Sequence, residues 1–138
     1  MAGYSGTPLP QKLGIKPQFK VAFYQLPGDV KTALKKDLAD CRLAKDGQDQ
    51  LDFAMIFIKS QVEMQRQFPG FARRLAPAGI LWVSWPKKIS GIATDLNEND
   101  VRRIGLTAGL VDVKVCAVND VWSGLKFVIR VKDRPGGR

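Results

Sequence analysis

Ile80-Leu-Trp-Val-Ser-Trp-Pro-Lys-Lys88 is an apolar run that closes on a tryptophan and a proline and opens directly onto two lysines. It follows Leu75-Ala-Pro-Ala-Gly79, a Pro/Gly turn signal, and before that a segment with helical spacing. A helix, a turn and a continuous apolar run predict a buried parallel strand, because a strand covered on both faces loses its polar alternation. In open α/β sheets ligands bind at the carboxyl ends of strands. The residues after Trp85 are therefore where a site is expected.

Upstream, Leu51 to Ile58 is a second apolar run with aromatic and β-branched residues, read as a central strand. Ser60 and Glu63 form a capping box that starts a helix at that strand's end. Val62, Phe68, Phe71 and Leu75 supply its buried stripe, and Pro69 is expected to break or kink it, or to open a second helix. Nearer the amino end, Thr7-Pro8 caps one helical turn through Leu13, stopped by Gly14. Phe19 to Tyr24 reads as the first strand and Leu26-Pro-Gly28 breaks it. Val30, Ala33, Leu34 and Leu38 have helical spacing, Cys41 to Leu43 is a short strand, and Lys45 to Gln50 is a polar turn.

Downstream, Asn97 caps a helix with Glu98 and Asp100 in its first turn, and Val101, Ile104 and Ala108 form its inner face. Gly109 ends it. Val111, Val113 and Val115 then alternate with Asp112, Lys114 and Cys116, and a last strand from Leu125 to Val131 alternates likewise. The short link from Asn119 to Ser123 makes this pair an antiparallel hairpin. The order β-α-β-β-α-β-α-β-β is that of an α/β fold, a three-layer Rossmann-like sandwich with a mostly parallel sheet ending in an antiparallel hairpin. Residues 1–134 read as one domain and 135–138 as a disordered tail.

A chain of 138 residues buries ~68% of its unfolded surface and needs no disulfide or metal staple. No apolar run reaches the ~18 residues of a membrane span and no charged-then-apolar leader opens the chain, so a cytoplasmic protein is expected. The chain has no histidine, which removes the usual general base, every Ser-His or Cys-His pair and most zinc sites. Cys41 and Cys116 are too far apart for a ligand or redox motif and read as small hydrophobes. No metal site is expected.

The net charge of +9 raises the question of nucleic acid. Basic residues come as scattered pairs, most with acids beside them, which is the pattern of solvated faces. Lys114, Lys126, Arg130 and Lys132 are expected on one face of the last hairpin, with no aromatic among them to stack bases. That face suits solvent, phosphates or a second subunit. Trp82, Trp85 and Trp122 read as core, with Trp82 and Trp85 on opposite sheet faces. Asp95, Glu98 and Asp100 lack the oxygen-ligand spacing of a calcium loop and read as helix caps.

The candidate site is Lys87, Lys88, Ser90 and Thr94. Two ammonium groups, two hydroxyls and the free amides of a helix start favour an anion, read by charge more than by shape because lysine has no fixed fork.

Several of these segments resemble class I S-adenosylmethionine-dependent methyltransferases across about residues 11–131. Leu13-Gly-Ile-Lys-Pro17 is similar to the approach to their cofactor strand, Leu75-Ala-Pro-Ala-Gly-Ile-Leu-Trp-Val83 to their fifth strand, and Ala108-Gly-Leu-Val-Asp-Val-Lys114 to their sixth. The opening nine residues, Trp82 to Lys88, Thr94 to Asp100 and Trp122-Ser-Gly124 also resemble a family of small bacterial proteins of unknown function. The methyltransferase resemblance implies a glycine-rich turn after strand one and an acid after strand two. Here the first place reads Ala22-Phe-Tyr-Gln-Leu-Pro-Gly28, and Asp46 is the nearest acid at the second. Strand three has no room. No cofactor is therefore expected, and the reading is a degenerate methyltransferase-like fold acting as a non-catalytic small-molecule, anion-binding or regulatory protein. The alternatives are an enzyme using Lys87 or Lys88 to stabilise an anionic substrate, and a weak non-specific nucleic-acid binder. A protein partner or homodimer is compatible with either.

Overall fold

The computed structural model describes residues 6–134. The expected tail at 135–138 and the first five residues lie outside them. Sheet order follows from which strands have no polar face. β3 (Leu51–Phe57) and the second half of β4 (Leu75–Pro86) are buried almost throughout, and they pair in parallel at the centre. β1 (Lys20–Tyr24) lies parallel on the other side of β3, and β2 (Arg42–Leu43) forms that edge. β5 (Leu110–Ala117) and β6 (Trp122–Ile129) form the hairpin, with β6 antiparallel between β4 and β5. The order β2-β1-β3-β4-β6-β5 makes one six-stranded sheet, mostly parallel, as expected.

Helices cover both faces. On one, Leu13 from α1 (Leu9–Leu13) and Val30 and Leu34 from α2 (Gly28–Leu38) pack on Phe53, Met55, Phe57 and Trp82. On the other, Met64 and Phe68 of α3 (Gln61–Arg74) and Val101 and Ile104 of α4 (Glu98–Thr107) pack on Ala54, Ile56, Leu81 and Val83. Trp82 belongs to the first core and Trp85 to the second, so the two indoles do face opposite ways.

Several local expectations are corrected. The Leu75–Gly79 turn is already strand: β4 begins at Leu75, bonds opposite Leu51, and resumes regular pairing at Ile80 opposite Phe53. The surplus residues bulge there, and a Cβ on Gly79 would stand 2.5 Å from the Leu51 carbonyl oxygen. α3 runs unbroken through Pro69. One lost hydrogen bond is outweighed by the anchoring of Phe68, whose ring meets Phe127 edge-on at 5.1 Å. Val62 is exposed and Met64 takes its place inside, because Val62, six positions before Phe68, is rotated about 120° from it around the helix, whereas Met64, four before it, is rotated only about 40°.

In α4 the exposed Ala108 is only the cap, and Gly105 faces inward against the Phe127 ring. A register shift between Asp112 and Lys114 interrupts the valine alternation of β5 and leaves Val113 and Val115 exposed. β6 ends at Ile129, so Arg130 and Lys132 lie beyond the sheet and do not share its face with Lys114 and Lys126. Pro8, not Thr7, holds the cap position of α1, with no side-chain cap bond. Both cysteines are free.

Candidate functional site

The carboxyl ends of β1, β3 and β4 open on one rim. β1 stops at Tyr24, and Gln25 turns the chain with a positive φ of 54° before Pro27 caps α2. Tyr24 does not point away from this rim. Its hydroxyl donates to Glu63 Oε2 at 3.1 Å and accepts from Gln25 Nε2 at 3.3 Å. Glu63 is held in turn at the start of α3: its N–H donates to Ser60 Oγ at 3.1 Å, and its Oε1 accepts the Lys59 N–H at 2.9 Å. This is the expected capping box with its return bond moved back one residue, from Ser60 to Lys59. Partial burial raises the Tyr24 phenol above its ordinary pKa, the Glu63 hydrogen bond and charge add to this, and Arg66 opposes it.

The segment from Gly91 to Asn97 is strapped across the start of α3. Thr94 Oγ1 donates to the Lys59 carbonyl at 2.6 Å and accepts the Leu96 N–H at 3.1 Å. Asp95 Oδ1 accepts the Gln61 N–H at 2.8 Å, while Gln61 Nε2 returns a bond to the Asp95 carbonyl at 3.0 Å. Arg103 reaches Gln61 Oε1 at 3.1 Å and Asp100 at 3.3 Å. The positive end of the α3 dipole is thus met by the chain's own Ser60 and Asp95. Asp95, expected at the start of α4, serves α3 instead.

Lys87, Lys88 and Ser90 lie together in the segment that leaves β4. The Lys87 N–H donates to the Val121 carbonyl at 2.7 Å, tying this exit to the β5–β6 loop. Ser90 Oγ donates to the Lys87 carbonyl at 2.6 Å and accepts the Ile92 N–H, closing the 3-10 turn Lys88–Ser90. Among the described residues, the ammonium groups of Lys87 and Lys88 make no hydrogen bond or ion pair with the protein. Ile89 between Lys88 and Ser90 is 89% exposed. The hydroxyls of Ser90 and Thr94 hold separate turns. The lysines alone have their polar groups uncommitted.

Asn97 caps α4 as expected, its Oδ1 accepting the Asp100 N–H at 2.8 Å. Glu98 pairs with Arg102 at 2.6 Å, and Arg102 also reaches Asp112 at 2.9 Å. Glu98 and Asp100 are therefore matched by the arginines of their own helix. The sequence reading missed Tyr24 and Gln25, and it saw only the local half of Glu63. The capping box was the one available signal, since a Tyr–Glu bond spanning 39 residues leaves no spacing to read. No cluster of three or more metal-ligating side chains exists among the described residues, and no helix among them is long and apolar enough to cross a membrane.

No protein-family model matches the chain, and no curated protein matches its sequence. Solved structures do match its fold. A Sulfolobus solfataricus protein assigned to the type 11 methyltransferases superposes with a TM-score of 0.61 at 15% identity, covering 92% of each chain. A TehB-like SAM-dependent methyltransferase of Corynebacterium glutamicum gives 0.53 at 10% identity, over 94% of this chain and 91% of that one. Magnesium protoporphyrin IX methyltransferase of Synechocystis PCC 6803, solved with bound SAH, gives 0.55 at 14%, over 82% and 74%. The chain has the Rossmann-like fold of SAM-dependent methyltransferases.

Proposed function

We propose that this protein is a non-catalytic binding or regulatory domain on a methyltransferase-like fold, without a working S-adenosylmethionine site, that takes a small anion at Lys87 and Lys88 with Ser90 and Thr94 shaping the surrounding turns. The observation that carries the first half is the exit of β1. Backbone must approach the cofactor there, and glycine permits it because it has no side chain. In this chain the place holds Tyr24, hydrogen-bonded to Glu63, and the first glycine is Gly28, already the first residue of α2. A two-residue β2 followed by Ala44 and Lys45 also sets no carboxylate directly at its end. These residues do not fit the cofactor.

The second half rests on uncommitted charge. Lys87 and Lys88 stand at the carboxyl end of a central strand with no acidic partner among the described residues, while Glu98 and Asp100 are matched by Arg102 and Arg103. Two such ammonium groups draw an anion by charge.

Calorimetry tests the first half. S-adenosylmethionine should show no appreciable binding, and a dissociation constant near ~10 μM, roughly −6.8 kcal/mol, would overturn it. A thermal-shift series with inorganic phosphate tests the second. The native chain should be stabilised more than the Lys87→Ala, Lys88→Ala double variant. Equal stabilisation of both would reduce the effect to salt exclusion and remove the anion site.

A further inference from the structure

The sheet is unfinished on its β2 side. β2 pairs only with Lys20 and Val21 of β1, the Ala44 N–H adds one bond to the Val21 carbonyl, and the chain then leaves. Along the rest of β1 this opens a cleft of about 550 Å³. Ala22 and Phe23 both line it although they point to opposite faces, as do Leu38 of α2 and Phe71 of α3, which pack on opposite faces. The cleft wraps over the sheet edge.

Its walls are held in place. Arg74 Nε donates to the Gln48 carbonyl at 2.9 Å and Nη2 to the Lys45 carbonyl at 3.3 Å, pinning the turn after β2 to the end of α3. The same guanidinium lies 5.2 Å from the centre of the Phe71 ring. Lys31 approaches from α2 and Lys45 from the turn. Against these three cations the lining holds one acid, Asp46. The ion pairs among the described residues all belong to arginines of α4, so none of the three is neutralised by a carboxylate. Leu43 adds apolar surface that is 74% exposed.

We propose that this edge cleft binds an amphipathic organic anion, its apolar body along Phe23, Leu38, Leu43 and Phe71 and its acidic group at Lys31 and Lys45. The volume falls within the roughly 300–1,000 Å³ of small-molecule sites. A partner strand fits less well. The Phe19 and Val21 carbonyls already accept from Arg42 and Ala44, so alternation leaves Phe23 as the only outward-facing residue before β1 ends at Tyr24. Strand addition needs a run of main-chain pairs. The site is separate from Lys87 and Lys88, which do not line it, and stands or falls independently of them.

Cys41 lines the cleft and reports on its occupant. In the Cys116→Ser chain, 8-anilinonaphthalene-1-sulfonate should bind one to one and slow maleimide labelling of Cys41 at least fivefold. The Lys31→Glu, Lys45→Glu variant, altered at two exposed positions, should keep its urea midpoint and bind the probe at least tenfold more weakly. Displacement by dodecanoate points to an aliphatic carboxylate, and displacement by 1-naphthyl phosphate to an aromatic phosphate. Either supports the proposal. Displacement by neither, unchanged affinity in the charge-reversed variant, or unprotected Cys41 overturns it. So does Cys41 protection that grows with protein concentration in the absence of probe, which would give the edge to a second copy.

Discussion

The indole Nε1 of Trp82 donates a 2.8 Å hydrogen bond to the carbonyl of Leu13, 69 residues earlier in the chain. Leu13 closes the short α1 helix, and Gly14 after it takes a left-handed φ of 86°. The bond therefore joins the middle of β4 to a segment too short to be helical by itself. It also satisfies the only polar atom of a fully buried ring.

Trp82→Ala should cost about 3–5 kcal/mol in urea denaturation, from lost burial and the cavity left behind. Trp82→Phe keeps most of the apolar contact but leaves the Leu13 carbonyl without its donor, and should cost about 1–3 kcal/mol. A loss below about 1 kcal/mol for the alanine variant would contradict the central placement of β4.

Gly105 is required by contact, not by conformation. A methyl group there would run into the Phe127 ring, which is itself held by Phe68. Gly105→Ala should destabilise by about 1–3 kcal/mol although alanine is the better helix former. Adding Phe127→Leu should recover part of the loss by freeing space. A Gly105→Ala chain more stable than the native one would show that α4 lifts off the sheet without penalty.

Tyr24 should ionise later than a free tyrosine. Its folded pKa is raised, so folding stabilises the protonated phenol; that stability is complete below the unfolded pKa of about 10 and is lost as pH rises through the folded value. Ultraviolet titration of the Tyr4→Phe chain isolates Tyr24. Glu63→Gln should lower the midpoint by removing the charge next to the phenol. An unmoved midpoint would mean that the Tyr24–Glu63 bond does not persist in solution.

Lys114 and Lys126 stand directly opposite each other across β5 and β6. The pKa of Lys126 is lowered, first by burial and then by Lys114. Its folded value lies below the unfolded one of about 10.5, so stability should rise as pH climbs from the folded value toward the unfolded one. Lys114→Gln removes the like charge and should stabilise by about 0.2–1 kcal/mol, with less gain from added salt than the native chain shows. A destabilised variant would mean that the Lys114 bond to the Lys12 carbonyl, 3.3 Å long, matters more than the repulsion.

The mainly parallel sheet and its hairpin were legible because their signals are local. Leu51 to Ile58 and Ile80 to Trp85 are apolar without alternation, and Ser60 and Asn97 cap their helices within three residues. The facing of Trp82 against Trp85 follows from strand alternation, and the sense of the strands from the length of their connections. The candidate lysines were legible only as charges after a strand. The pairing of Glu98 with Arg102 and of Asp100 with Arg103 is itself local, four and three residues apart, but packing alone decides that no other acid among the described residues folds against the lysines.

Tertiary structure alone decided the rest. Pro69 stays helical because Phe68 is anchored on Phe127, a contact across 59 residues that no local rule contains. Leu75 to Gly79 is strand and not turn because Leu51 offers a partner edge. Tyr24 closes on Glu63 across 39 residues because β1 pairs beside β3, from which α3 departs, and the cleft beside β1 opens because β2 ends after two residues. Local free-energy preferences of ~1 kcal/mol are written in neighbouring residues, whereas burial and long-range hydrogen bonds exist only once distant segments meet.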